Sequence, residues 1–298
     1  MRKPLETLLI LGMLVAAAGC GRRVDPRAED IYDLVVANEI DQAVAGANAI
    51  LADEPDNAQI RNVLGLALYK SGDAEGSIEQ YLEALEDDSK YPECWFNLGN
   101  SYKVLGRAQE AENAFEKAIE HEKKFDVARL NLGIIYRDTG RPDLALEQWR
   151  QAVKDNDQFD LAYLEIGLLE SQRGNVDAAI PAFERVLELR PTAKQVRVHL
   201  GNAYLTSGRD GASQLAENEY RAAIGIDPEY VDGLYSLAVA LAAQERHDEA
   251  LATFEKVWRL TLDRPEHPIH KRIQDYFKTV GYTPGAEDAE GDEGTESG

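Results

Sequence analysis

Apolar residues along this chain recur at two spacings at once. Inside a segment they fall every three or four positions, as one face of an α-helix requires, and the whole pattern then returns after 34 residues. Its clearest copy runs from Trp95 to Phe125. There Trp95, Leu98, Gly99 and Tyr102 share one face of a first helix, Gly106 ends that helix, and Ala111, Phe115 and Ala118 face inward from a second. Gly99 and Ala111 carry almost no side chain, so the two backbones can approach while the Phe115 ring fills the space beside them. The pattern predicts a helical hairpin.

The same landmarks return at Gly65, Gly99, Gly133, Gly167 and Gly201, each 34 apart, and then at Ala238 after a step of 37. The turn glycines Gly72, Gly106, Gly140, Gly174 and Gly208 keep the period. So do the second-helix aromatics Tyr81, Phe115, Trp149 and Phe183, followed by Tyr220 and Phe254. Hairpins are therefore expected at 58–91, 92–125, 126–159, 160–193, 194–230 and 231–264. A degenerate copy at 24–57 has Asp30 and Ile31 where leucine and glycine should stand, as terminal repeats often do. Residues 265–281 place Ile269, Ile273, Tyr276, Phe277 and Val280 at helical spacing, an amphipathic helix able to cap the last repeat. From 282 to 298 the composition turns to small and acidic residues, six carboxylates without a base, which cannot bury enough surface to order itself.

The period and the W-x-x-L-G-x-x-Y, A-x-x-x-F-x-x-A pattern of Trp95–Ala118 resemble the tetratricopeptide repeat. The resemblance implies an all-α fold, a right-handed superhelical solenoid of helical hairpins. Three local departures stand out. Pro181, about one turn into a second helix, is expected to loosen or bend it. Glu170 occupies the slot of Tyr102, Tyr136 and Tyr204 and is expected to reach the edge beside Arg173. Three extra residues within 209–213 are expected to lengthen one loop between paired helices.

The amino terminus reads differently. Arg2 and Lys3 precede a short apolar run, Leu8 to Ala18, and then Ala17, Ala18 and Gly19 abut Cys20. The run is too short to span a bilayer comfortably and ends in small residues, so 1–19 reads as a cleaved signal. An ordinary secretory signal cut near Ala18 is one reading. Small residues abutting cysteine fit better a bacterial lipoprotein signal, which the segment resembles; this implies lipidation of Cys20 and, with Gly21 following it, the outer membrane facing the periplasm. The linker 20–26 would then hold the repeats close to the bilayer. Cys94 is left without a disulfide partner and reads as a small core residue.

Charge narrows the function. A formal net charge of −22 with no basic face makes nucleic acid an unsuitable partner. No P-loop, G-x-S-x-G or H-E-x-x-H motif is present, and repeats, cap and leader account for nearly every residue, leaving no catalytic domain and no cofactor. His267 and His270 are spaced to touch one metal ion, but Pro268 between them argues against it.

In repeat solenoids of this type, first helices line a concave groove through the second, fifth, ninth, twelfth and thirteenth positions. Here that implies a polar stretch containing Asn100, Lys103 and Arg137 and an apolar one containing Leu130, Ile134, Leu164, Leu168 and Val198, with Asn202 beside it. The apolar set is either packing surface or a second stripe, surplus to folding and open to a peptide; the latter places Leu164 at solvent. The expected function is a non-catalytic, membrane-anchored scaffold for envelope proteins. Its alternatives are a pilotin-like lipoprotein for a type IV pilus secretin, or an accessory subunit of an envelope enzyme.

Overall fold

The structure, a computed structural model, describes residues 24–284. The described residues form fifteen α-helices and no strand: α1 Pro26–Val36, α2 Ile40–Asp53, α3 Ala58–Ser71, α4 Ala74–Asp87, α5 Pro92–Val104, α6 Ala108–His121, α7 Asp126–Asp138, α8 Pro142–Asp155, α9 Asp160–Gln172, α10 Val176–Leu189, α11 Lys194–Ser207, α12 Ala212–Ile226, α13 Val231–Ala243, α14 His247–Leu260 and α15 Pro268–Val280. The all-α expectation holds. They fall into two compact units, one ending at Ala162 and one beginning at Tyr163, with the division inside α9.

Five of the seven hairpins close on a glycine facing an aromatic ring. A Cβ placed on Gly65, Gly99, Gly133, Gly167 or Gly201 would lie between 2.2 Å and 2.7 Å from the ring of Tyr81, Phe115, Trp149, Phe183 or Tyr220 respectively. Helix backbones meet there because one side contributes nothing but hydrogen. The first hairpin reverses the arrangement. Ile31 supplies the bulk from α1, and a Cβ on Gly46 of α2 would lie 2.6 Å from its Cδ1.

The turn between paired helices uses a left-handed residue. Gly72, Gly106, Gly140, Gly174 and Gly208 have φ between 63° and 94°, and Asn38 and Glu245 take the same place in the first and last hairpins at 65° and 61°. A side chain is disfavoured there, which is why glycine fills five of the seven turns and asparagine, the best tolerated alternative, a sixth. The three extra residues are divided. Two lengthen the turn after α11, where Gly208 and Gly211 are both left-handed, and one lengthens α12 to 15 residues.

The slot of Trp95 has a conserved task but not a conserved residue. The Trp95 indole donates to the carbonyl of Ser89 at 2.9 Å, six residues earlier. Arg61, Arg129 and Arg197 in the equivalent places donate likewise to Pro55, Lys123 and Pro191 at 2.9, 2.9 and 3.0 Å. Each clip ties a first helix to the connection preceding it, giving a donor to a loop carbonyl just past the end of the previous helix.

In the first unit Ile31, Val35, Ile60 and Leu64 form one core cluster, and Tyr81, Cys94 and Leu98 another. Cys94 is buried and forms no disulfide among the described residues, its Sγ 3.5 Å from the Tyr81 carbonyl. In the second unit Phe183, Val186 and Leu200 form one cluster and Tyr220, Leu237, Leu241 and Phe254 the next. Helix α15 completes the latter with Ile269, Ile273 and Phe277. Its His270 stacks on Trp258 with centroids 4.0 Å apart and shares a 2.9 Å hydrogen bond with Thr261, while His267 accepts from the Ile269 amide as the helix cap.

Helix α10 runs as a single helix through Pro181, which lies about one turn in, so that its missing donor and ring face the first turn. One detail differs from expectation. Glu170 does not reach the edge: it is 2% exposed and accepts from the Asn175 carboxamide at 2.8 Å. Two other buried carboxylates, Glu112 and Glu217, occupy the same position of their second helices, three repeats apart. Glu112 accepts both arms of Arg141 at 2.9 and 2.6 Å, and Glu217 accepts from Arg246 at 2.7 Å and Arg221 at 2.8 Å. Arginine forks suit such sites because they bring two parallel donors to one carboxylate.

Candidate binding surfaces on the first helices

In the first unit the inner face is polar and more enclosed than the sequence implies. Asn62, Asn97 and Asn131 are buried, and the Asn97 amide donates to Asn62 Oδ1 at 2.9 Å. Asn97 Oδ1 is buried without a partner. Asn100 is 7% exposed. Lys103 donates to Asn131 Oδ1, and burial pushes its ammonium down to about 8, against a smaller pull upward from Asp138. Arg137 is half-buried, paired with Asp138 at 2.9 Å, its guanidinium 6.0 Å from the Trp149 ring.

The apolar residues of the expected strip divide. Leu130 is buried, and its carbonyl accepts the Trp149 indole at 3.0 Å, so it belongs to the core of the first unit; Ile134 is half-buried. In the second unit Leu164 and Leu168 are half-buried against the cluster of Phe183 and Val196. They pack against that cluster and keep part of their surface exposed. The sequence could not separate these cases, because the inward face of a first helix is wide enough to touch both its own partner and the neighbouring hairpin.

Val198 and Asn202 have a different setting. With Leu205 of the same helix they line a cavity of about 460 Å³ in the second unit, facing Tyr235 and Val239 of α13. Val198 is buried, whereas Val239 is 42% exposed and opens the site to solvent. The Tyr220 hydroxyl donates to Asn202 Oδ1 at 2.7 Å, which leaves the amide nitrogen of that carboxamide to act as a donor. Gln195, Ser236 and His199 add polar groups to the wall. The His199 ring stacks on Phe183 at 5.8 Å, and burial holds its pKa below the ordinary value, leaving a neutral imidazole. Tyr230 also lines the site; burial, with Asp232 nearby, pushes its hydroxyl up to about 12, so it stays protonated.

The remaining wall comes from α15, through Ile269 and Arg272. Neither was recognisable as a site residue, because α15 reads only as a cap and its distance along the chain from α11 hides the convergence. An apolar floor with a few directed polar groups is the composition of a binding cavity. Among the described residues no cluster of His, Cys, Asp or Glu is arranged to hold a metal. Cys20 lies outside the described residues.

Family models agree with this architecture. The TPR repeat model matches residues 65–106, and models described as tetratricopeptide repeat match 92–125, 127–151, 164–213 and 211–260. A TPR repeat-containing protein of Pseudomonas aeruginosa is 34% identical over 73 residues, 24% of this chain and 70% of the relative. The C-terminal part of a TPR repeat-containing protein from Cytophaga hutchinsonii is similar in structure with a TM-score of 0.69, 16% identity, and coverage of 83% of this chain and 98% of the other. YrrB, described as a TPR protein with an unusual peptide-binding site, is similar at a TM-score of 0.54, 24% identity, and coverage of 67% and 97%. The corresponding figures for pilF of Pseudomonas aeruginosa are 0.59, 18%, 75% and 98%. With its repeating hairpins, their glycine–aromatic contacts and these matches, the chain belongs to the tetratricopeptide repeat family.

Proposed function

We propose that this chain is a non-catalytic scaffold that binds a protein segment in the cavity of α11, α13 and α15 and is tethered to a bacterial envelope membrane through lipid on Cys20. The observation that carries the binding part is the cavity itself: an apolar floor at Val198, Tyr235 and Val239 beside Asn202, whose oxygen is taken by the Tyr220 hydroxyl and whose amide is left to donate. Such a site accepts one side chain and one backbone carbonyl of an extended or helical peptide. The membrane part rests on the leader and on Cys20. A narrower role, assisting assembly of a type IV pilus secretin, draws on the leader and repeat array, and shares a fold with pilF.

Two measurements test the proposal separately. Mass spectrometry of the amino-terminal peptide from the membrane-extracted protein should find a diacylglyceryl-modified Cys20; an unmodified amino terminus overturns the anchor. A photo-crosslinking amino acid at Val239 in living cells should yield a discrete protein adduct that is absent with the same probe at Thr253, on the partner helix α14. Equal labelling at both positions refutes the cavity as the binding site.

A further inference from the structure

Arg272 is the one lysine or arginine among the residues lining the cavity. It stands on α15, exposed, and makes no hydrogen bond or ion pair among the described residues. In a chain with 54 acidic and 32 basic residues most described arginines are engaged, as Arg61, Arg107, Arg141, Arg197 and Arg246 are. An unpaired guanidinium at the rim of an apolar cavity is therefore a local reversal of the chain's charge. His199, in the wall, likewise makes no hydrogen bond through either ring nitrogen among the described residues. The lining also holds one carboxylate, Asp232, near enough to Tyr230 to help raise the pKa of its hydroxyl.

We infer that the cavity selects a segment in which a bulky apolar residue is flanked by a single acidic one, with the cap helix reading the acid. This rests on the peptide-binding reading above. The apolar side chain lies on Val198, Tyr235, Val239 and Ile269; the carboxylate meets the Arg272 guanidinium; the Asn202 amide donates to the segment's backbone. Arginine presents two parallel donors to a carboxylate, and a charge-assisted pair beside a desolvated apolar wall is stronger than one in open water. Asp232 disfavours a second acid, so the preference is for one acidic residue and not an acidic run. Helix α15 thus does more than cover the last hairpin: it supplies the charged half of the specificity, a role that its amphipathic pattern alone does not disclose.

The test is selection of displayed random heptapeptides on the full chain held in detergent. Peptides enriched on the wild type should carry a bulky apolar residue with Asp or Glu within two positions, and a synthetic peptide of that sequence should bind Arg272→Glu at least about tenfold more weakly. Selection on Arg272→Glu should keep the apolar residue and exchange the acid for Lys or Arg. Since Arg272 is exposed and unpaired, its replacement leaves the helix packed, which circular dichroism checks. Enriched peptides without an acidic preference, or an acidic preference unaltered by Arg272→Glu, overturn the inference while leaving peptide binding intact. Enrichment that survives Val239→Arg refutes the cavity as its seat, and no enrichment on the wild type refutes the peptide-binding reading with it.

Discussion

Trp149 offers the sharpest test of how the hairpins are held together. Its side chain is 0% exposed, it lies against Gly133, where an added Cβ would be 2.2 Å from its indole nitrogen, and that nitrogen donates to the Leu130 carbonyl at 3.0 Å. Trp149→Ala removes the ring from a site that can collapse little, because both backbones are fixed by their own helices. The expected cost is about 3–5 kcal/mol, with about 1 kcal/mol more for the lost hydrogen bond. Trp149→Phe is a different perturbation. The equivalent places hold Phe115 and Phe183 against Gly99 and Gly167, so the ring fits and only the indole bond and some volume are lost, about 1–2 kcal/mol. With a urea slope of about 2–3 kcal/mol per molar, within the usual range, the alanine variant should shift the unfolding midpoint by roughly 1–3 M and the phenylalanine variant by a fraction of that. Repeat arrays unfold in parts, so hydrogen exchange across α7 and α8 should locate the loss there, with α13 and α14 protected as in the wild type. An alanine variant as stable as the wild type, or a phenylalanine variant as damaged as alanine, would refute the reasoning.

Two titrations follow from the buried ion sites. Burial raises the Glu217 carboxyl, but Arg246 and Arg221 outweigh it, and its net pKa lies below the ordinary 4.5. Its contribution is therefore present above that value and lost as pH falls through the lower folded one; Glu217→Gln should cost about 1–3 kcal/mol at neutral pH and flatten the acid limb of a stability–pH curve. Lys103 has the opposite sense. Its folded pKa, down to about 8, lies below the unfolded 10.5, so the cost of burying its charge is absent above 10.5, grows as pH falls and is complete below about 8. A carbon-13 lysine titration should show one resonance with its midpoint near 8; all lysines titrating near 10.5 would refute its burial.

The sequence by itself determined the hairpin and its period. Gly65, Gly99, Gly133, Gly167 and Gly201 and their ring partners were legible because one helix must be empty where the other is full, and both halves of that contact lie within a single repeat. Burial of Cys94 was legible for the same reason, as a small residue at a helix-facing position. The sequence did not show which tasks survive a change of residue. Arg61, Arg129 and Arg197 make the clip that Trp95 makes, since any long side chain with a terminal N–H reaches a carbonyl six residues back. Asn38 and Glu245 make the turn that glycine makes elsewhere.

Only the tertiary structure decided what the inner faces do. Leu130, Leu164 and Leu168 read as a groove because their spacing puts them on one helical face, yet burial is settled by how far neighbouring helices lean over that face, a quantity no single helix encodes. Glu170 became a buried carboxylate because Asn175, from the following turn, satisfies it. The cavity of the second unit joins α11, α13 and α15 across more than sixty residues of chain, and Arg272 reaches its rim from a helix whose pattern announces only a cap. Local periodicity fixes which side of a helix is apolar; which apolar side remains open depends on the helices that pack over it.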